Sequence, residues 1–231
     1  LGIVIGLAAC AATAGWIMVA SGLNDDTRTW VSAYKLITHL GIATTLFGFL
    51  YWTCLRASQP KSSDGHLGGL RRFAWGLTLL LVVQILFGGL MAGMRAGLVH
   101  PYWPFFVEGG RLLDILMPST AVDLDSIVDY EPAVFVKGLV QILHRGTAYL
   151  LTGLIVLFFF RARKANISEK LSRGTYLLIS MLVVQFALGI LSVIISFGRI
   201  PLFYGVLHQG AALILLAVLL FVNYQLQNQR N

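Results

Sequence analysis

Apolar residues in this chain run in long stretches instead of alternating or recurring on one helical face. Six stretches, approximately 2–20, 36–56, 73–92, 138–160, 174–197 and 202–222, are apolar nearly all round. Each holds about 20 residues, enough for an α-helix to cross roughly 30 Å of hydrocarbon, and a helix apolar on every side belongs in a membrane or a large core. Short polar segments separate the stretches, except for one long interruption at 93–137. The pattern predicts an all-α, polytopic transmembrane bundle with six spans.

Composition strengthens that reading. Of 231 residues 57% are hydrophobic and 12% charged, with a mean hydropathy of +0.79, which excludes an ordinary soluble domain. The charges sort by loop. Arg56, Lys61, Arg71, Arg72, Arg161, Arg163, Lys164, Lys170, Arg173 and the tail Arg230 fall on one side, with Asp64 and Glu169 as its acids. Asp25, Asp26, Glu108, Asp114, Asp123, Asp125, Asp129 and Glu131 fall on the other. Positive charge marks the cytoplasmic face, so the C-terminus is expected inside, in a plasma (inner) membrane. The formal charge of +7 then reflects topology in a lipid bilayer, and no nucleic-acid partner is expected. Cys10 and Cys54 lie within spans as small buried apolar side chains, with no support for a disulfide. The first span lacks a basic start and a processing site and reads as a resident helix.

Within the spans there is a repeat. H-x-G-x-A occurs as HLGIA at His39, HRGTA at His144 and HQGAA at His208, each near the outer end of its span. The preceding spans share V-V-Q-x-x-x-G, with Gln84 and Gly88 matching Gln185 and Gly189; the first span has Ala11 and Gly15 in that frame. The spans therefore pair as a lead helix and a histidine helix. The loops within the pairs run short, long, short, so a two-helix unit is expected ahead of this chain, whose first residue is not Met. The complete protein is expected to have eight helices in two four-helix halves. Residues 1–72 form the second part of the first half, and 73–231 the second half with its outer loop 93–137. That loop carries Pro101, Tyr102, Trp103, Pro104, Phe105 and Phe106 before an acidic stretch, and serves either as an aromatic belt or as a lid over a site.

Intramembrane histidines are functional by default. In the H-x-G-x-A frame the alanine shares the histidine's helix face, so Ala43, Ala148 and Ala212 leave flat space beside each imidazole. Gly41, Gly146 and Gly210 are expected to pack against a neighbouring helix. An imidazole beside flat apolar space suits axial ligation of haem iron. His144 and His208, at similar depth in one half, could share one iron, and His39 would pair with an upstream histidine. Interhelical hydrogen bonding, metal ligation without porphyrin and a proton relay are the competing readings. No acid or cysteine accompanies the histidines at metal-ligand spacing, and the spans hold no buried carboxylate. Arg145 is placed either to pair with a haem propionate or to snorkel to the interface; Arg95 raises the same choice. His66 and His100 are expected to be solvated or interfacial.

The segments GWIMVASGL, VSAYKLITHLG, GGLMAGMRAGLVHPYWP, QILHRGTAYLL and LHQGAALILLAV, in this order from Gly15 to Leu219, resemble the heme A synthase family. The resemblance implies an eight-helix pseudo-twofold membrane enzyme that oxidises the C8 methyl of haem O to a formyl group, giving haem A for terminal oxidases. It implies a haem b cofactor held by His144 and His208, and substrate haem O held on the side of His39. The family's acidic catalytic residue would lie upstream, so no catalytic residue is assigned here. The outer-loop cysteine pair found in some members is absent. Implied partners are a haem O farnesyltransferase-type enzyme, terminal oxidase assembly and an unidentified electron-transfer partner. The alternatives are a quinone-linked diheme b-type cytochrome, and a haem-handling protein with no chemistry of its own.

Overall fold

The computed structural model describes residues 2–21, 31–60, 64–106, 116 and 134–227. Each of the six expected spans is a helix long and apolar enough to cross a membrane. In chain order these are α1 (Gly2–Ala20), α2 (Ala33–Ser58), α3 (Gly68–Gly93), α4 (Val134–Lys164), α5 (Glu169–Ile194) and α6 (Leu202–Gln225), with a short 3-10 turn at Ala96–Leu98 after α3. Among the described residues there is no strand. The chain is thus an all-helical, multi-pass membrane protein. Much of the acidic stretch before α4, with Asp25, Asp26, Lys61 and Arg230, lies outside the described residues.

Helices α2, α3 and α4 run past their apolar windows at both ends. The backbone ladder continues through Lys35, Arg56, Arg71, Arg72, Arg161 and Arg163, which are good helix formers whose charged heads reach the interface. Helix α5 departs from expectation. It starts at Glu169, where the Ser168 side chain accepts from Leu171 N at 3.2 Å, and stops at Ile194 instead of 197. Gly198, at φ +67°, follows in the turn to α6, a left-handed conformation open to glycine at little cost.

Each lead helix packs on the histidine helix that follows it: α1 on α2, α3 on α4, α5 on α6. Helices α3–α6 close into a ring, since α4 also meets α5 and α3 meets α6, while α2 joins by packing on α3 and α6. The main core lies within that ring, from Ala74, Leu77 and Leu81 through Ile155, Phe158 and Leu178 to Leu215, Leu219 and Val222. The close crossing of α2 and α3 depends on Gly89 and Gly93. A Cβ at Gly93 would stand 2.7 Å from Ala33 Cα, and one at Gly89 2.8 Å from a Leu40 methyl. This is small-xxx-small packing between membrane helices.

The basic end is tied by polar contacts. Asp64, buried against the α4–α5 connection, accepts from Ser168 N at 3.0 Å and from Ser168 Oγ at 2.5 Å. Asn223 Nδ2 donates to Thr78 Oγ1 at 2.7 Å and to Leu219 O at 2.9 Å, and the Tyr224 hydroxyl donates to Gln59 O at 3.0 Å. The second acid at the basic end, Glu169, makes an exposed pair with Arg173. Cys10 and Cys54 are free, and both are exposed on the bundle surface instead of buried.

Candidate functional site

The three histidines stand in one geometry, at the end of the bundle opposite the basic loops. Each sits in the first half of its helix and lays its imidazole against a glycine of the lead helix. The histidine Cε1 lies 3.0 Å from where a Cβ on Gly15 would be for His39, 3.3 Å from that on Gly88 for His144, and 3.1 Å from that on Gly189 for His208. All three glycines fall five residues before the end of their helix: 15 against 20, 88 against 93, 189 against 194. Each of these glycines makes room for an imidazole of the following helix. In the adjacent pair Gly88–Gly89 the two jobs separate, with Gly88 facing the imidazole and Gly89 facing helix α2.

One turn before each glycine stands a second partner. His39 Nδ1–H donates to Ala11 O at 2.9 Å, which leaves Nε2 as the basic nitrogen. Gln84 Nε2 lies 3.1 Å from His144 Nδ1 and 3.4 Å from its Nε2. Gln185 Nε2 lies 3.4 Å from His208 Nε2. Three polar atoms here are buried without a hydrogen-bond partner among the described residues: Gln84 Oε1, Gln185 Oε1 and His208 Nδ1. His144 and His208 also lie within electrostatic reach of one another inside the α3–α6 ring.

Glycine two places after each histidine behaves differently from expectation. Gly41 meets Leu86 of α3, but Cβ atoms on Gly146 and Gly210 would meet nothing within 4 Å. Only the first serves helix packing, because α4 and α6 turn that face away from their neighbours.

A family profile described as "Cytochrome oxidase assembly protein" (COX15-CtaA) matches residues 1–220. The chain belongs to this family. It is 37% identical over 217 residues to a heme A synthase of Bradyrhizobium sp. (strain ORS 278), covering 94% of this chain and 56% of that protein. It is 35% identical to a heme A synthase of Flavobacterium psychrophilum, covering 93% and 60%, and 33% identical to one of Nitrosospira multiformis, covering 93% and 58%. The chain thus spans somewhat over half the length of these curated relatives. No solved structure matches.

In this member of the cytochrome oxidase assembly family, the described part of the α3–α4 loop closes over the histidine end. Gln141 Nε2 donates to Ala96 O at 2.6 Å, and Ser196 Oγ to Gly97 O at 3.1 Å. Arg145 Nη2 donates to Pro104 O at 3.3 Å and Phe105 O at 3.4 Å, and the guanidinium lies 4.1 Å from the centre of the Phe106 ring. Tyr102 stacks edge-on against Phe197. These ties make residues 94–106 a cap, in addition to any aromatic belt.

Arg145 is 6% exposed, so it does not snorkel outward. Tyr149, one turn on, lies close enough to interact with it, yet Nη1 is buried without a hydrogen-bond partner among the described residues. Lys137, Gln141 and Arg145 follow one another at i, i+4 and i+8, and all three are buried. His100, expected to be solvated or interfacial, is 2% exposed and so not solvated, with its carbonyl near Gln141 Nε2, whereas His66 is exposed. Buried Lys137 had no signal in sequence beyond its place at the mouth of α4. Gln84 and Gln185 did have one, the repeated V-V-Q-x-x-x-G, but their contact with the imidazoles needed the pairing of helices.

Proposed function

We propose that this chain is the larger part of a heme A synthase, an integral membrane oxidoreductase that converts the C8 methyl of haem O to the formyl group of haem A for terminal oxidases. The observation that carries the reading is the threefold repetition of one imidazole seat, in a chain whose relatives are named heme A synthase. Three imidazoles, each seated on a glycine of its lead helix, form a donor set suited to axial haem ligation.

His144 and His208 would hold haem b in the α3–α6 half, and His39 would hold the substrate haem O in a four-helix half built with two further helices. The whole would be an eight-helix pseudo-twofold protein of the inner membrane, C-terminus inside and histidines toward the outer face. Bound haem b would supply one-electron redox capacity, and the chain's own residues determine where it sits. His144 and His208 ligate, Gly88 and Gly189 set the ring positions, and the 94–106 cap limits water at the outer mouth. Arg145 Nη1, a buried donor without a hydrogen-bond partner among the described residues, suits a propionate carboxylate. The residue that acts on the methyl group is expected outside this sequence. Supply of haem O would fall to a farnesyltransferase-type enzyme, and use of haem A to terminal oxidase assembly.

The test is extraction and mass identification of haems from the purified gene product, co-expressed with a source of haem O. Haem b together with haem O or haem A is expected. Haem b alone would replace the proposal with a b-type electron-transfer cytochrome, and no haem would overturn the ligand assignment.

A further inference from the structure

We propose that Gln84 is the positioning residue for His144, accepting the Nδ1–H of the imidazole through Oε1 when Nε2 binds iron. The inference rests on the haem reading of the α3–α6 half. A histidine bound to metal through Nε2 carries its proton on Nδ1 and needs an acceptor there, which fixes tautomer and ring orientation. His39 already meets that need, with Ala11 O 2.9 Å from Nδ1.

At His144 the group in the equivalent place is a carboxamide, its nitrogen 3.1 Å from Nδ1 and 3.4 Å from Nε2 and its oxygen buried without a hydrogen-bond partner among the described residues. With the amide nitrogen donating to Nδ1, the imidazole proton resides on Nε2, the nitrogen that must face iron. Half a turn about the last side-chain bond exchanges donor for acceptor at the same place. The proton then belongs on Nδ1, and Nε2 is free to ligate. Gly88 keeps this arrangement in register, because the ring edge bearing Cε1 and Nδ1 lies against it at 3.3 and 3.9 Å from the Cβ position. Gln84 lies nearer to Nδ1 of His144, at 3.1 Å, than to Nε2, at 3.4 Å. Gln185, in the matching place on α5, instead reaches His208 at Nε2, 3.4 Å away, and leaves Nδ1 buried without a hydrogen-bond partner among the described residues. The second-partner role therefore falls more strongly on Gln84 than on Gln185.

The experiment is a redox titration and low-temperature EPR spectrum of the b haem in the full-length protein and in Gln84→Glu, Gln84→Leu and Gln185→Leu. Gln84→Glu, a stronger acceptor of the same shape, is expected to retain haem, lower its reduction potential and shift the low-spin g-values. Gln84→Leu is expected to weaken haem retention by about tenfold to a hundredfold and raise the potential of what is retained. Gln185→Leu is expected to move the potential less than either. Wild-type potential and g-values in Gln84→Glu would overturn the proposal, even if Gln84→Leu failed to accumulate. So would a larger shift from Gln185→Leu. Absence of low-spin haem from the wild-type protein would instead overturn the haem reading on which the proposal rests.

Discussion

The α1–α2 pair and the α3–α6 ring hold their histidines against the same kind of glycine but give them different second partners. On α1 the partner is the main chain. In helical geometry the Ala11 carbonyl accepts from the amide of Gly15, and its second lone pair takes the Nδ1–H of His39. The ring reaches that carbonyl because Gly15 has no side chain in the way. In the ring, Gln84 and Gln185 stand where Ala11 stands, and a carboxamide meets the imidazole first. A carbonyl in a helix cannot turn over, whereas a glutamine amide can. The imidazole tautomer is thus built into the backbone at His39, and depends on side-chain rotation at His144. The packing differs as well. Ala11 is the buried residue of α1, while α3 and α6 contribute heavily to a continuous core. The repeat has kept the ring seat and varied what surrounds it.

The largest effects should come from the ligands themselves. His144→Ala and His208→Ala are each expected to abolish the low-spin b spectrum of the purified protein, while His39→Ala leaves it in place. Loss of that spectrum in His39→Ala alone would reverse the assignment of the two halves.

Next come the seats. Gly88→Ala and Gly189→Ala place a methyl 3.3 and 3.1 Å from the imidazole Cε1, and rings held this tightly must shift by a few tenths of an ångström. Overpacking of this kind costs about 1–3 kcal/mol, so haem affinity titrated with added hemin should fall roughly fivefold to a hundredfold. Gly15→Ala, at 3.0 Å, should spare the b haem and weaken only binding at His39. Equal loss of b haem in Gly15→Ala would remove the distinction between the two regions.

Smaller effects are expected away from the histidines. Asn223→Leu removes the bonds from α6 to Thr78 and to its own helix. Interhelical hydrogen bonds in membranes contribute about 1 kcal/mol, so thermal unfolding in detergent should move down by a few degrees with the haem spectrum unchanged. The smallest effect is predicted for Gly146→Ala and Gly210→Ala. Both positions face open space, and alanine is the better helix former by about 0.5–1 kcal/mol. Unchanged haem content with neutral or slightly raised stability is expected; a loss would mean that these glycines face a surface after all.

Much of the architecture was determined by sequence alone. Six apolar windows located six helices, because the cost of placing polar backbone and side chains in hydrocarbon leaves long apolar runs few other structures. The H-x-G-x-A repeat likewise set the three histidines at one end of the bundle. Tertiary structure decided what touches those histidines. Gly15, Gly88 and Gly189 were visible as small residues, but whether a glycine admits a helix or an imidazole depends on how the partner helix is rotated, as the adjacent Gly88 and Gly89 show. The burial of Lys137, His100 and Arg145 beside the 94–106 cap was hidden for the same reason. Local composition sets which residues enter the membrane, but a side chain's neighbours come from helices far away in sequence, and no local pattern encodes their rotation.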